Sequence, residues 1–152
     1  MLAAYGELGA YGVSSLNRPL AQELKKLFAA DGVFGKKSGD SHEEAKKFFV
    51  NYFKQIALVF GGAWNGRKYS IRSASALRAF IRVSPDVIRR LDQEHADRSD
   101  FRAIGRVLAP WGRRIGDLRF ETEGAWKRAG TTVDSLAKEL RLALMYPEGA
   151  SV

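Results

Sequence analysis

"SHEEAKKFFVNYFKQIALVF", residues 41–60, decides the fold. Ser41 is placed to accept a hydrogen bond from the N–H three residues on, and Glu44 to reach back, which is a capping box. Behind it Ala45, Phe49, Tyr52, Phe53, Ile56 and Phe60 recur at helical steps, and Phe48 and Val59 widen the stripe. So broad an apolar face predicts a central core helix. Gly61 and Gly62 are expected to end it by permitting a left-handed turn.

Upstream, Asn17 can cap a helix with Pro19 in its first turn, where a missing N–H costs nothing. Leu20, Leu24, Leu27 and Phe28 follow at helical spacing, and Gly32 stops the run. Residues 32–40, "GVFGKKSGD", read as a polar loop, and residues 1–13 as an irregular lead-in.

Downstream, "FGGAWNGRKYSIRS" (60–73) is an elbow in which Asn65-Gly66 can take positive φ. Trp64 is expected to pack back on Phe60. Ser73 or Ser75 then caps a helix with Leu77, Phe80 and Ile81. Ser84 and Pro85 read as the cap and first-turn proline of a new helix carrying Val87, Ile88 and Leu91. Ser99 is expected to cap a further helix bearing Phe101, Ile104 and Leu108 and ending near Pro110. "DLRFETE" (117–123) reads as a short strand or a helical turn. Thr131 or Thr132 opens the last helix, with Val133, Leu136, Leu140 and Leu144 inward, and Pro147 closes it before a tail at 147–152.

Strand alternation is nearly absent, so the chain reads as mostly α: one helical bundle of five to six helices over residues 1–152, with at most one short strand pair. A 152-residue chain with 45% hydrophobic residues can bury a core of its own. No run approaches the roughly 20 apolar residues of a membrane span, so no membrane role is expected. "MLAAYGELGAYG" has neither a basic leader nor a long apolar centre, so no secretory signal is expected. With no cysteine there is no disulfide or thiolate chemistry, which fits a cytoplasmic location.

The net charge is +8, and it is concentrated. Between Arg67 and Arg119 twelve arginines and one lysine face six acids, a local net of +7. Arginine's planar fork suits phosphate better than lysine's point charge does. Arg98, Arg102 and Arg106 recur every four residues, which predicts one basic face opposite Phe101, Ile104 and Leu108. Arg78 and Arg82 repeat the spacing opposite Leu77, Phe80 and Ile81. Such rows could follow a phosphate backbone, and the competing reading is a solvated face partly neutralised by Asp92, Glu94 and Asp97. Arg67, Lys68, Arg72, Arg113 and Arg114 complete the candidate nucleic-acid contacts. Trp64 and Tyr69 are candidates for stacking, although a tryptophan directly after a core helix is usually core.

Catalytic signals are weak. His42 and His95 lack HExxH spacing, and neither a GxSxG elbow nor a Walker loop occurs. Glu121 and Glu123 would share a face if 117–123 were a strand, but no third metal ligand accompanies them. No catalytic residue, metal or cofactor is therefore assigned.

Residues 48–88, "FFVNYFKQIALVFGGAWNGRKYSIRSASALRAFIRVSPDVI", resemble the C-terminal part of DGQHR-domain proteins, the family of the B protein of bacterial DNA phosphorothioation systems. Tyr52, Phe53, Ile56, Phe60 and Trp64 match the first half of that pattern, and Ser73, Ala74, Leu77 and Ile81 the second. "DFRAIGRVLAPW", "GAWKRAG" and "SLAKELRLAL" extend the likeness to about residue 144. "SSLNRPLAQEL" (14–24) is similar to the asparagine-bearing segment that precedes that part. The DGQHR signature and the large ParB-like N-terminal region are missing, so any activity seated there does not carry over. The resemblance implies a DNA-linked role: a regulator or component of a DNA-modification, defence or mobile-element system, phage systems included. Three readings follow: a DNA-associated domain binding phosphate backbone, a module docking on an acidic protein surface, and a small nuclease using Glu121 and Glu123.

Overall fold

The computed structural model describes residues 18–29, 32–35 and 41–147, without the side chains of 18–20 and 41. The expected lead-in, the caps at Asn17 and Ser41, most of the 32–40 loop and the tail beyond Pro147 lie outside these residues. The described chain is a single-domain helical bundle of six α-helices: α1 (Arg18–Leu27), α2 (Ser41–Val59), α3 (Gly61–Asn65), α4 (Ala74–Gln93), α5 (Phe101–Arg114) and α6 (Val133–Met145). Between α5 and α6 lie a tight turn at Asp117–Phe120 and a wide one at Thr122–Trp126, the latter broken by Gly124 in a non-helical conformation.

The stripe read from 41–60 is fully buried: Phe48, Phe49, Tyr52, Phe53, Ile56 and Phe60 all face the core. The Tyr52 and Trp111 rings meet at 6.2 Å, and those of Phe60 and Phe120 at 5.0 Å. The Tyr52 hydroxyl donates to the Phe80 carbonyl at 2.6 Å, which ties α2 to α4. Burial, and secondarily the charge of Asp86, push that hydroxyl's pKa well above its ordinary value, so it stays a donor. α4 rather than α2 is the hub of helix packing, touching α1, α5 and α6, while α2 lies along α5.

Several local readings are corrected. Gly61 and Gly62 do not take positive φ; the chain bends at Phe60 (φ −115°, ψ 47°) and winds on into α3. A Cβ on Gly62 would come within 2.6 Å of Asp117 Oδ2, so a side chain there would push the Asp117 carboxylate aside. Asn65-Gly66 is not a positive-φ turn either: Asn65 ends α3 and Gly66 is extended (φ −90°, ψ 152°). Ser73 is the cap of α4, accepting from the Ala76 N–H at 3.2 Å.

Ser84 and Pro85 do not restart a helix. α4 runs through them, because the Ser84 hydroxyl donates to the Ile81 carbonyl at 2.7 Å. That carbonyl, four residues before the proline, is the one whose N–H partner Pro85 lacks. α5 is capped by Asp100, which accepts from the Arg102 and Ala103 N–H groups at 3.0 and 3.1 Å, not by Ser99, which turns its hydroxyl to Asp97. α5 also continues past Pro110 to Arg114.

The strand expected at most as a short pair is one isolated antiparallel bridge between Tyr69 and Glu121. Its bonds are Ser70 N–H to Phe120 O at 2.7 Å and Thr122 N–H to Lys68 O at 2.8 Å. Thr132 opens α6 in a reciprocal cap with Ser135. His95 has φ 57° just beyond α4, where its N–H bonds to Asp92 O and the Ala96 N–H to Leu91 O. This is the Schellman arrangement, with a histidine where glycine is usual.

Candidate nucleic-acid interface

The structure divides the sequence-assigned arginines into two groups. Arg78, Arg82 and Arg98 are tied into the fold. Glu23 of α1 is only 3% exposed and receives Arg78 Nη2 at 3.3 Å, Arg82 Nη2 at 2.6 Å and Lys26 Nζ at 3.7 Å. Arg82 also pairs with Asp134 of α6, so one guanidinium joins α1, α4 and α6. Burial raises the Glu23 pKa, but the hydrogen bond and charge of Arg82, the charge of Lys26 and the hydrogen bond of Arg78 outweigh it, so the net shift is downward.

Arg98 precedes α5 rather than riding on it, so the expected row of Arg98, Arg102 and Arg106 on one helix face is broken at its first member. Its guanidinium meets both carboxylate oxygens of Asp92 at 3.0 and 2.8 Å, Glu44 at 3.1 Å and the Val33 carbonyl at 2.9 Å. It also lies over the Phe34 ring at 5.9 Å. The Asp92 hydrogen bond, followed by the charges of Asp92 and Glu44, raises its pKa against the opposing effect of burial.

Arg102, Arg106 and Arg113 form the second group. They are exposed, and their side chains have no ion-pair partner among the described residues. Steps of four and seven residues place them on one stripe of α5, about 6 Å and about 10 Å apart along the axis. The helix, "FRAIGRVLAPWGRR", contains no acid. Its next face is fixed against α2, where the space over Gly105 is filled by the Gln55 side chain and that over Gly112 by Val59 Cγ1. The Gln55 amide donates to the Phe101 carbonyl at 2.9 Å, which keeps α2 and α5 in register. The α5 backbone beneath the stripe is thus held against α2. Arg114 is exposed on a different side of the last turn, where it and Arg113 favour the helix dipole.

Arg67 and Lys68 are exposed in the loop after α3. Arg72 is exposed too, but its guanidinium lies 6.0 Å from the Trp64 ring centroid. Trp64 is 4% exposed and meets the Phe53 ring at 6.4 Å; that is its aromatic neighbour, not Phe60. Tyr69 is half-buried, with its ring so close to Gly66 that a Cβ there would come within 2.5 Å of it.

Glu121 belongs to the bridge, Glu123 pairs with Lys127 at 3.3 Å, and no group of three metal-capable side chains occurs among the described residues. Nor, among them, is any helix long and apolar enough to cross a membrane. His42 stacks on Phe28 at 4.7 Å.

Sequence reasoning missed Glu23 and Asp134 as the partners that remove Arg78 and Arg82 from the surface. Glu23 left a trace: it lies four residues before Leu27, on the apolar side of its helix, where a carboxylate calls for a buried cation. Asp134 left none. Comparison with family models, with curated proteins and with solved structures returns no match, so the fold and the placement of side chains carry the functional argument.

Proposed function

We propose that this chain is a non-enzymatic, DNA-associated helical domain that binds phosphate backbone through Arg102, Arg106 and Arg113 of α5, with Arg67, Lys68 and Arg114 assisting. The observation that carries the reading is the stripe of exposed guanidiniums, unpaired among the described residues, on a helix that contains no acid and is packed against α2. Guanidinium groups already bound to internal carboxylates would have to break those bonds to take phosphate; these three have no such bond among the described residues. The resemblance to DGQHR-domain proteins supplies a matching context, a component or regulator of a DNA-modification, defence or mobile-element system.

The test reverses the charge of Arg102, Arg106 and Arg113 together and measures DNA affinity at moderate salt. Affinity is expected to fall by at least about tenfold, with the thermal melt unchanged. Unaltered affinity refutes the assignment. Tight capture of an acidic protein, with DNA binding weak and insensitive to the substitutions, favours the docking module instead.

A further inference from the structure

Resting on the phosphate-binding reading of the stripe, we infer that its ligand is double-stranded, gripped by the phosphates on both sides of a groove, with the bases left unread. Single strands are held by stacking their bases on exposed aromatic rings beside a basic track. The described surface offers little of that. Trp64 is buried at 4% exposure beneath the Arg72 guanidinium, Trp111 is fully buried on the inner side of α5, and Tyr69 is pressed against Gly66. Two rings reach solvent near basic residues: Tyr146, 46% exposed, which lines a cleft with Arg114 on another side of α5 from the stripe, and Phe101, 38% exposed, which points about 100° away from Arg102.

The spacing favours a duplex as well. Arg102 and Arg106 are about 6 Å apart along the axis, and Arg113 lies about 10 Å further on. That is a close pair, a gap and a third cation. The minor and major grooves of B-form DNA are about 6 Å and about 12 Å wide, which brackets the step to Arg113. The close pair suits neighbouring phosphates of one wall, and Arg113 the opposite wall. Along the same edge of α5 only Ala109 lies in the gap between Arg106 and Arg113. Its methyl group is too short to hold the helix off a convex duplex or to read a base edge. Asp100, two residues before Arg102, is engaged in capping α5.

The experiment measures, by fluorescence anisotropy, the full chain against a 20-base-pair duplex, its separate strands, and duplexes of A·T-rich and G·C-rich sequence. Each is titrated with salt, for the wild type, for Phe101→Ala and for Arg102→Gln/Arg106→Gln/Arg113→Gln. The expected result is duplex binding at least about tenfold tighter than single-strand binding. The two duplex sequences should agree within about threefold, and the logarithmic salt slope should be about −3 or steeper, from about 0.9 per phosphate neutralised by the three stripe arginines with the assisting cations adding to it. Phe101→Ala should leave the duplex affinity unchanged, and the triple variant should lose most of the slope while melting as the wild type does. Single-strand binding as tight as duplex binding and weakened by Phe101→Ala overturns the duplex inference while leaving phosphate binding standing. A triple variant that binds every probe as the wild type does overturns both.

Discussion

Replacing Glu23 by glutamine tests the division of the arginines most directly. The substitution keeps the shape of the side chain and removes the charge on which Arg78, Arg82 and Lys26 converge. Breaking a buried ion pair by removing one partner costs about 3–5 kcal/mol. Here Arg78 and Arg82 keep 29% and 23% of their side chains exposed, so water recovers part of that loss. The expected destabilisation is then about 2–3 kcal/mol. At a urea dependence of about 2 kcal/mol per molar, the unfolding midpoint should fall by about 1–1.5 M, read by circular dichroism at neutral pH.

The pH dependence has a definite sign. The folded-state pKa of Glu23 lies below its ordinary value, so the stability it contributes is fully present above that ordinary value. It is lost as pH falls through the lowered value. Wild type and Glu23→Gln should therefore differ most near neutral pH and converge on acidification. Arg82→Gln should also destabilise, and a double-mutant cycle should give a coupling of about 1 kcal/mol or more. A Glu23→Gln midpoint within about 0.3 M of wild type at neutral pH would refute the structural role. So would an Arg82→Gln variant that melts like the wild type but loses DNA affinity, since that outcome returns Arg82 to the binding surface.

Two further substitutions test local geometry. His95→Gly relieves a left-handed residue at the end of α4 (φ 57°) and should stabilise by about 1 kcal/mol, raising the melting temperature by about 2–4 °C; a lower melting temperature would mean the histidine ring itself matters. Ser84→Ala improves intrinsic helix propensity but strips the Ile81 carbonyl of the hydroxyl that replaces the N–H missing at Pro85, so a loss of about 1 kcal/mol is expected and a gain would contradict the account.

The bundle was legible because its largest signal is periodic. The run from Ala45 to Phe60 cannot bury its aromatics except as a helix, and Phe48 through Phe60 are buried as that pattern requires. The breaks between helices were harder, for reasons that are local and chemical. Pro85 reads as a boundary by its ring and missing N–H, but a neighbouring hydroxyl in the right rotamer cancels half of that argument. Ser99 and Asp100 are both competent caps; which one serves depends on Asp97, whose carboxylate engages both the N–H and the hydroxyl of Ser99. Gly66 is a glycine for space, with the Tyr69 ring and the Gly62 carbonyl close by, and such neighbours, folded back on the chain, leave no periodic signal.

The same limit governs the candidate site, and it explains why charge spacing alone overstated it. Five of the twelve arginines between 67 and 119, namely Arg78, Arg82, Arg89, Arg98 and Arg119, are held in ion pairs with acids. All of those acids but Asp86 and Asp92 lie outside that span: Glu23, Glu44, Asp134 and Glu139. A local count therefore assigned to the surface a charge that the fold spends internally. What survives is smaller and better defined. Arg102, Arg106 and Arg113 share a helix with no acid of its own, next to a face closed by Gln55 and Val59. Because α5 runs through Pro110, Arg113 extends along its axis a stripe that the sequence reading had divided at the proline. Three aligned guanidiniums would neutralise fewer phosphates than the nine arginines and one lysine assigned from the sequence. On the proposed reading they have no bond to another described residue to break before taking phosphate, so replacing them should weaken a salt-sensitive binding and leave stability untouched.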